Sequence, residues 1–109
     1  MQVPLEITFR GMSSSPAVEE AVGRWVERLT HAFDRIMNCH VWIELPHRHQ
    51  RQGAEFSIRI ALAVPGREIA VHEDGKDDVY VALADAFLAA RRQLQDHARI
   101  RRGDVKLHA

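Results

Sequence analysis

The sequence predicts an α+β fold in the order β-α-β-β-β-α, two helices packed on one face of a four-stranded mixed sheet. Three observations predict it. Apolar and polar residues alternate with a strand's period in four runs, apolar residues recur at helical spacing in two longer segments, and the links among the last three strand-like runs carry hairpin chemistry. The 109 residues suit a single domain, with a core over about 3–102 and a tail over 103–109, and 46% hydrophobic residues are enough to build that core.

Val3, Leu5, Ile7 and Phe9 alternate with Pro4, Glu6, Thr8 and Arg10, the pattern of a half-buried strand. Pro4 lacks an amide donor, which places this run at a strand start or a sheet edge. After a turn over Gly11–Ser15, Ser15-Pro16 supplies a capping hydroxyl followed by proline in the first helical turn. Val18, Ala21, Val22, Trp25, Leu29, Ala32, Phe33 and Ile36 then fall at helical spacing.

Cys39, Val41, Ile43 and Leu45 alternate again, as do Phe56, Ile58, Ile60 and Leu62, and then Ile69 and Val71. The polar link His47–Gly53 and the turn Val64-Pro65-Gly66-Arg67 separate these runs, so they read as hairpin-connected strands. The last helix opens at Asp77 or Asp78, carries an apolar face of Tyr80, Leu83, Phe87, Ala90 and Leu94, and ends at Gly103. A right-handed crossover makes the first two strands parallel neighbours. Both helices then cover one sheet face, and the other keeps His40, Trp42, Glu44, Glu55, Ser57, Arg59, Glu68 and His72 toward solvent.

The N-terminus alternates instead of showing a charged start and an apolar run, and no apolar stretch approaches a membrane span. With one cysteine, Cys39, no internal disulfide forms, and a cytoplasmic protein is expected. Cys39 has the alternation of an inward strand residue, and no histidine and carboxylate set is evident to activate it. His47 and His49 lack the further ligands a lasting zinc site needs, so no metal, cofactor or catalytic residue is expected.

Basic and acidic residues balance at 15 each, but their distribution is uneven. Arg91, Arg92, Arg99, Arg101, Arg102 and Lys106 crowd the C-terminal end, whereas Glu73, Asp74, Asp77, Asp78 and Asp85 make an acidic zone relieved by Lys76. Arg92, Gln95, Arg99 and Arg102 share one face of the last helix; Arg24, Arg28, His31 and Arg35 share one face of the first. Two readings stand side by side. Such stripes are ordinary solvated faces, helped by the Glu20–Arg24 spacing and the helix dipole, or they are arginine surfaces that grip phosphate and stack on bases. His47, Arg48 and Arg51 add loop positions that touch phosphate or stay wet. Trp42, on the outer sheet face, either packs locally, stacks on a base or meets another subunit.

From Leu5 to Arg102 the sequence resembles the short form of the ribosome hibernation promoting factor and ribosome-associated inhibitor family. Phe33-Asp34-Arg35-Ile36 is similar to the segment closing that family's first helix, and Asp78-Val79-Tyr80-Val81-Ala82-Leu83 followed by Arg92-Gln93-Leu94 is similar to its second. The resemblance implies a non-enzymatic ligand of small-subunit rRNA that occupies the messenger and transfer RNA channel during stress or stationary phase. It carries over Arg28 and Arg92 as contacts, with His97 next; Arg24, His31, Arg35, Arg91, Arg99, Arg101 and Arg102 come from charge spacing. Ala89, Asp96, Ala98 and Ile100 stand where the family is usually rich in lysine, which lowers the expected number of phosphate contacts. No membrane or DNA partner is expected, and self-association is left open. The rival expectation is a protein-interaction module of the same fold that has lost RNA affinity and uses the Trp42 face.

Overall fold

The computed structural model describes residues 3–46 and 55–102, with the backbone alone for Arg101 and Arg102. Strand β1 (Leu5–Arg10) leads into helix α1 (Pro16–Ala32), followed by β2 (Asn38–Glu44), β3 (Phe56–Val64), β4 (Arg67–Lys76) and helix α2 (Val79–Arg102). The sheet order is β1-β2-β3-β4, with β1 parallel to β2 and the remaining pairs antiparallel. The predicted architecture is therefore the observed one.

Local chemistry sets the boundaries. Ser15 is extended at φ −129° and its Oγ accepts from the Val18 amide at 3.3 Å, with Pro16 opening α1 behind it. At the other end Phe33 is extended again, and its N–H closes on the Leu29 carbonyl at 2.8 Å. This stop corrects one expectation: α1 ends at Ala32, so Arg35 lies beyond the helix and is not part of its stripe. Asp78 starts α2, its Oδ1 accepting from the Tyr80 amide at 2.8 Å and the Val81 amide at 3.3 Å. The expected stop at Gly103 and the expected loop contacts His47, Arg48 and Arg51 lie outside the described residues.

Gly11 has φ +74°, and a Cβ there would run into the Leu45 carbonyl, so the β1–α1 turn can pass the end of β2 only with glycine. Gly75, at φ +93°, sits where the β3–β4 register shifts and supplies the extra residue of a bulge.

One core lies between sheet and helices. Val41, Ile43, Ile58, Ile60, Leu62 and Ile69 point inward and meet Val18, Val22 and Leu29 of α1 and Leu83, Phe87 and Leu94 of α2. Each such fully buried side chain stabilises the fold by roughly 1.5–3 kcal/mol. Helix α2 lies over β3 and β4, and α1 meets α2 where Trp25 stacks on Phe87, ring centroids 5.6 Å apart and 6° from parallel. Tyr80 is a second correction. It shares the helical spacing of the core positions but sits at the margin of the stripe, and it is 48% exposed.

Candidate nucleic-acid interface

The first and last strands run in the same sense, because β2 parallels β1 while β3 and β4 each reverse. A helix returns after β1 and another after β4, so α1 and α2 point the same way and their C-terminal ends share one end of the molecule. Trp25 on Phe87 marks the seam between them. Arg28 follows Trp25 by three residues and Arg91 follows Phe87 by four, so each arginine lies about one turn beyond the seam on its own helix. Arg92 and Arg99 are exposed and lie further round α2, on its outward face.

Each predicted side chain has a distinct setting. The Arg28 guanidinium lies 4.8 Å from the centre of the Trp25 ring, a cation–π contact that holds its charge on the helix surface. Arg24 pairs with Glu20 at 3.7 Å, and Arg99 with Asp96 at 3.2 Å, both exposed and weak. Arg91 and Arg92 are exposed and make no ion pair among the described residues. Their charge is available to an incoming phosphate without breaking a partner.

His97 is half-buried in the wall of a cavity of about 360 Å³, formed where the end of α1 (Ala32, Phe33, Asp34, Arg35, Ile36) meets Leu94, His97 and Ala98 of α2. Arg35 therefore joins α2's cavity instead of the α1 stripe. His31, exposed in the last turn of α1, borders a wider groove of about 1050 Å³ against the start of β1, with Gly23, Thr30, Leu5 and Met37 among its walls. Arg101 and Arg102 continue α2 in backbone. The arrangement thus unites Arg28, Arg91, Arg92 and Arg99 toward the C-terminal half of the helical layer and leaves His31, Arg35 and His97 in its concavities.

Across the sheet, outward residues that the alternation already grouped form a second constellation whose contacts it did not disclose. His40 stacks on Trp42 at 3.6 Å between ring centroids, and Arg59 of the neighbouring strand lies 5.8 Å from the Trp42 ring. Thr8 Oγ1 lies 2.9 Å from His40 Nε2, and Glu6 Oε1 3.5 Å from His40 Nδ1. Ser57 Oγ and Asp74 Oδ1 approach His72 Nε2 at 3.0 and 3.4 Å. A hydroxyl, an imidazole and a carboxylate in a row suggest acyl-transfer chemistry, but that chemistry also needs a cleft and oxyanion donors beside the hydroxyl. The two cavities described above lie against the helices. In the second row the two oxygens share one nitrogen, so no relay runs through the ring. These contacts orient two imidazoles on an open surface. The spacing His40–Trp42 (i, i+2) was the available clue to a shared face; the cross-strand partners needed the register.

Cys39 is buried, and burial pushes its thiol from an ordinary 9.0 up to about 12, which keeps it protonated and unreactive. Among the described residues no group of three or more histidine, cysteine, aspartate or glutamate side chains converges as a metal site. No helix among the described residues is long and apolar enough to cross a membrane.

Residues 5–102 match the family model described as Sigma 54 modulation protein / S30EA ribosomal protein. The chain belongs to that family. It is a family of ribosome-associated factors, of the hibernation and subunit-interface kind, and the resemblance read from Phe33–Ile36 and from Asp78–Leu94 is borne out. Among solved structures, a ribosomal subunit interface protein from Coxiella burnetii shares the fold at a TM-score of 0.70 and 20% identity, covering 88% of this chain and 98% of that one. The N-terminal domain of Protein Y from Thermus thermophilus matches at a TM-score of 0.66 and 20% identity, covering 89% and 99% respectively. No curated protein matches by sequence. With Ala89, Asp96, Ala98 and Ile100 in α2, the helix's arginines are Arg91, Arg92, Arg99, Arg101 and Arg102.

Proposed function

We propose that this chain is a translation inhibitor that binds small-subunit rRNA in the messenger and transfer RNA channel during stress or stationary phase, in the cytoplasm and without catalysis or a cofactor. The observation that carries the reading is the arginine surface at the C-terminal half of the helical layer. Arg91 and Arg92 are exposed without ion pairs among the described residues, and on α1 the Arg28 guanidinium is held on Trp25. Arginine's planar fork takes two phosphate oxygens at once and stacks on unpaired bases, both of which folded rRNA presents. The protein's net charge of zero does not oppose this, because five of the fifteen acids, Glu73, Asp74, Asp77, Asp78 and Asp85, lie just before α2 or in its first turns, away from Arg91–Arg102.

The test is co-sedimentation of the purified chain with small ribosomal subunits across a salt series. Binding is expected at low salt and falls steeply as salt rises, by counterion release. Arg92→Glu together with Arg99→Glu abolishes it while leaving the circular dichroism spectrum unchanged. Absence of binding at low salt by the folded chain sinks the reading. The stacked His40–Trp42 pair favours the second reading, a protein partner on the open sheet face. In that case the arginine reversals are silent and Trp42→Ala disrupts the complex.

A further inference from the structure

Four large apolar side chains stand most exposed among the described residues, and three of them are on the first turns of α2: Tyr80 at 48%, Val81 at 47% and Leu88 at 42%. The core does not need them. Ala82, Leu83, Ala86 and Phe87 fill the opposite side of the same turns and are fully buried. A surface helix ordinarily presents polar residues on its outer face. Here Val81 and Leu88, seven residues apart, fall on the same outward face as Arg92 and Arg99, four and eleven residues beyond Leu88. From its start to its end, that face therefore reads acidic, apolar and then arginine, with Asp96 paired to Arg99.

RNA does not suit the first part. Glu73, Asp77, Asp78 and Asp85 cluster around it in sequence, Asp74 being turned to the open sheet face beside His72, and the one lysine among them, Lys76, lies 3.4 Å from Asp85. A phosphate backbone drawn to Arg92 is repelled there. The complementary occupant is cationic with apolar anchors. Tyr80, Val81 and Leu88 would supply a dry centre, and the carboxylates would steer lysine or arginine around it.

We infer that the N-terminal half of α2 docks a lysine- and arginine-rich protein segment of the small subunit, next to the rRNA gripped by the C-terminal half. The inference rests on the ribosome-binding reading and names a second partner for the same helix. Leu88 and Arg92 are one turn apart, about 6 Å of rise. The docking place is therefore a junction where a basic protein lies directly against RNA.

The experiment places a photo-crosslinking benzophenone amino acid at Leu88 or at Arg92 of the full chain, bound to purified small subunits. The expected products are a cross-link from position 88 to a basic ribosomal protein and from position 92 to rRNA. Cross-linking of both positions to RNA overturns the inference, as does RNA capture at 92 with none at 88. In parallel, Val81→Ser with Leu88→Ser should weaken subunit binding about tenfold, a change of one decade in Kd, with the salt slope unchanged. Unaltered affinity overturns the inference while the rRNA reading stands. If the unsubstituted chain fails to sediment with subunits, the rRNA reading fails first, and the docking inference falls with it.

Discussion

Helix α2 has two halves that share one backbone and one buried side but face water differently. Over Val79–Leu88 the outer surface is apolar within an acidic surround; over Ala89–Arg102 it is arginine-rich. The buried side is continuous through both, with Leu83, Phe87, Ala90 and Leu94 all at or below 2% exposure. The difference shows that the fold and the recognition surface are specified by separate stripes of one helix. Packing fixes the inner stripe throughout, and the outer one is free to change character half-way.

The contrast between inner and outer stripes breaks most visibly at two adjacent residues. Phe87→Ala removes a fully buried ring stacked on Trp25 and should destabilise the protein by about 3–5 kcal/mol. Leu88→Ala trims a side chain that is 42% exposed and should change stability by less than about 0.5 kcal/mol. Urea titration of both variants measures the difference. Similar losses would mean that Leu88 belongs to the core and that the outer apolar stripe has no separate purpose.

How much of this was legible in the sequence follows from which interactions are local. The strands, the Ser15-Pro16 helix start and the inward and outward sides of the sheet depend on periods of a few residues, and all were readable. Phe33 and Ile36 kept helical spacing past the end of α1 because both still pack against the core after the chain turns extended. That continued period carried Arg35 onto a helix it does not occupy. Tyr80 misled for the opposite reason: spacing reports the direction of a side chain, not whether anything lies opposite it. The arginine stripe of α2 was readable, whereas the seam between the helices needed the Trp25–Phe87 contact. Val81 and Leu88 were visible as apolar residues, but their exposure depended on where the helix rests.

The two outer halves are separated more sharply by a change of sign than by a loss. Asp77→Asn with Asp85→Asn removes two negative charges from the acidic surround and leaves the Asp78 cap in place. If a basic protein segment lies there, subunit affinity should fall about threefold, since each rim charge contributes a few tenths of a kcal/mol up to about 1. If RNA lies there, affinity should rise instead, because repulsion of phosphate has been relieved. A filter-binding titration at fixed low salt distinguishes the two directions, and a rise would merge the halves into one RNA surface.

The smallest effect concerns how the arginine half is held. On α1, the Arg28 guanidinium rests on the Trp25 ring, and that ring is in turn stacked on Phe87 in α2. Arg28→Lys keeps the charge but replaces a flat cation with a compact, strongly hydrated one that stacks poorly. Stability should fall by about 0.5–1 kcal/mol, the usual contribution of an exposed cation–π contact. The salt slope of subunit binding should stay the same, because the number of cations facing phosphate is unchanged. Affinity should nevertheless drop modestly, by about two- to threefold at every salt concentration, if stacking pre-orients the charge and spares part of the entropy of immobilising a long side chain. An Arg28→Lys variant that binds as tightly as the parent would show that Trp25 serves the helix seam alone, and that position 28 contributes its charge without a preferred direction.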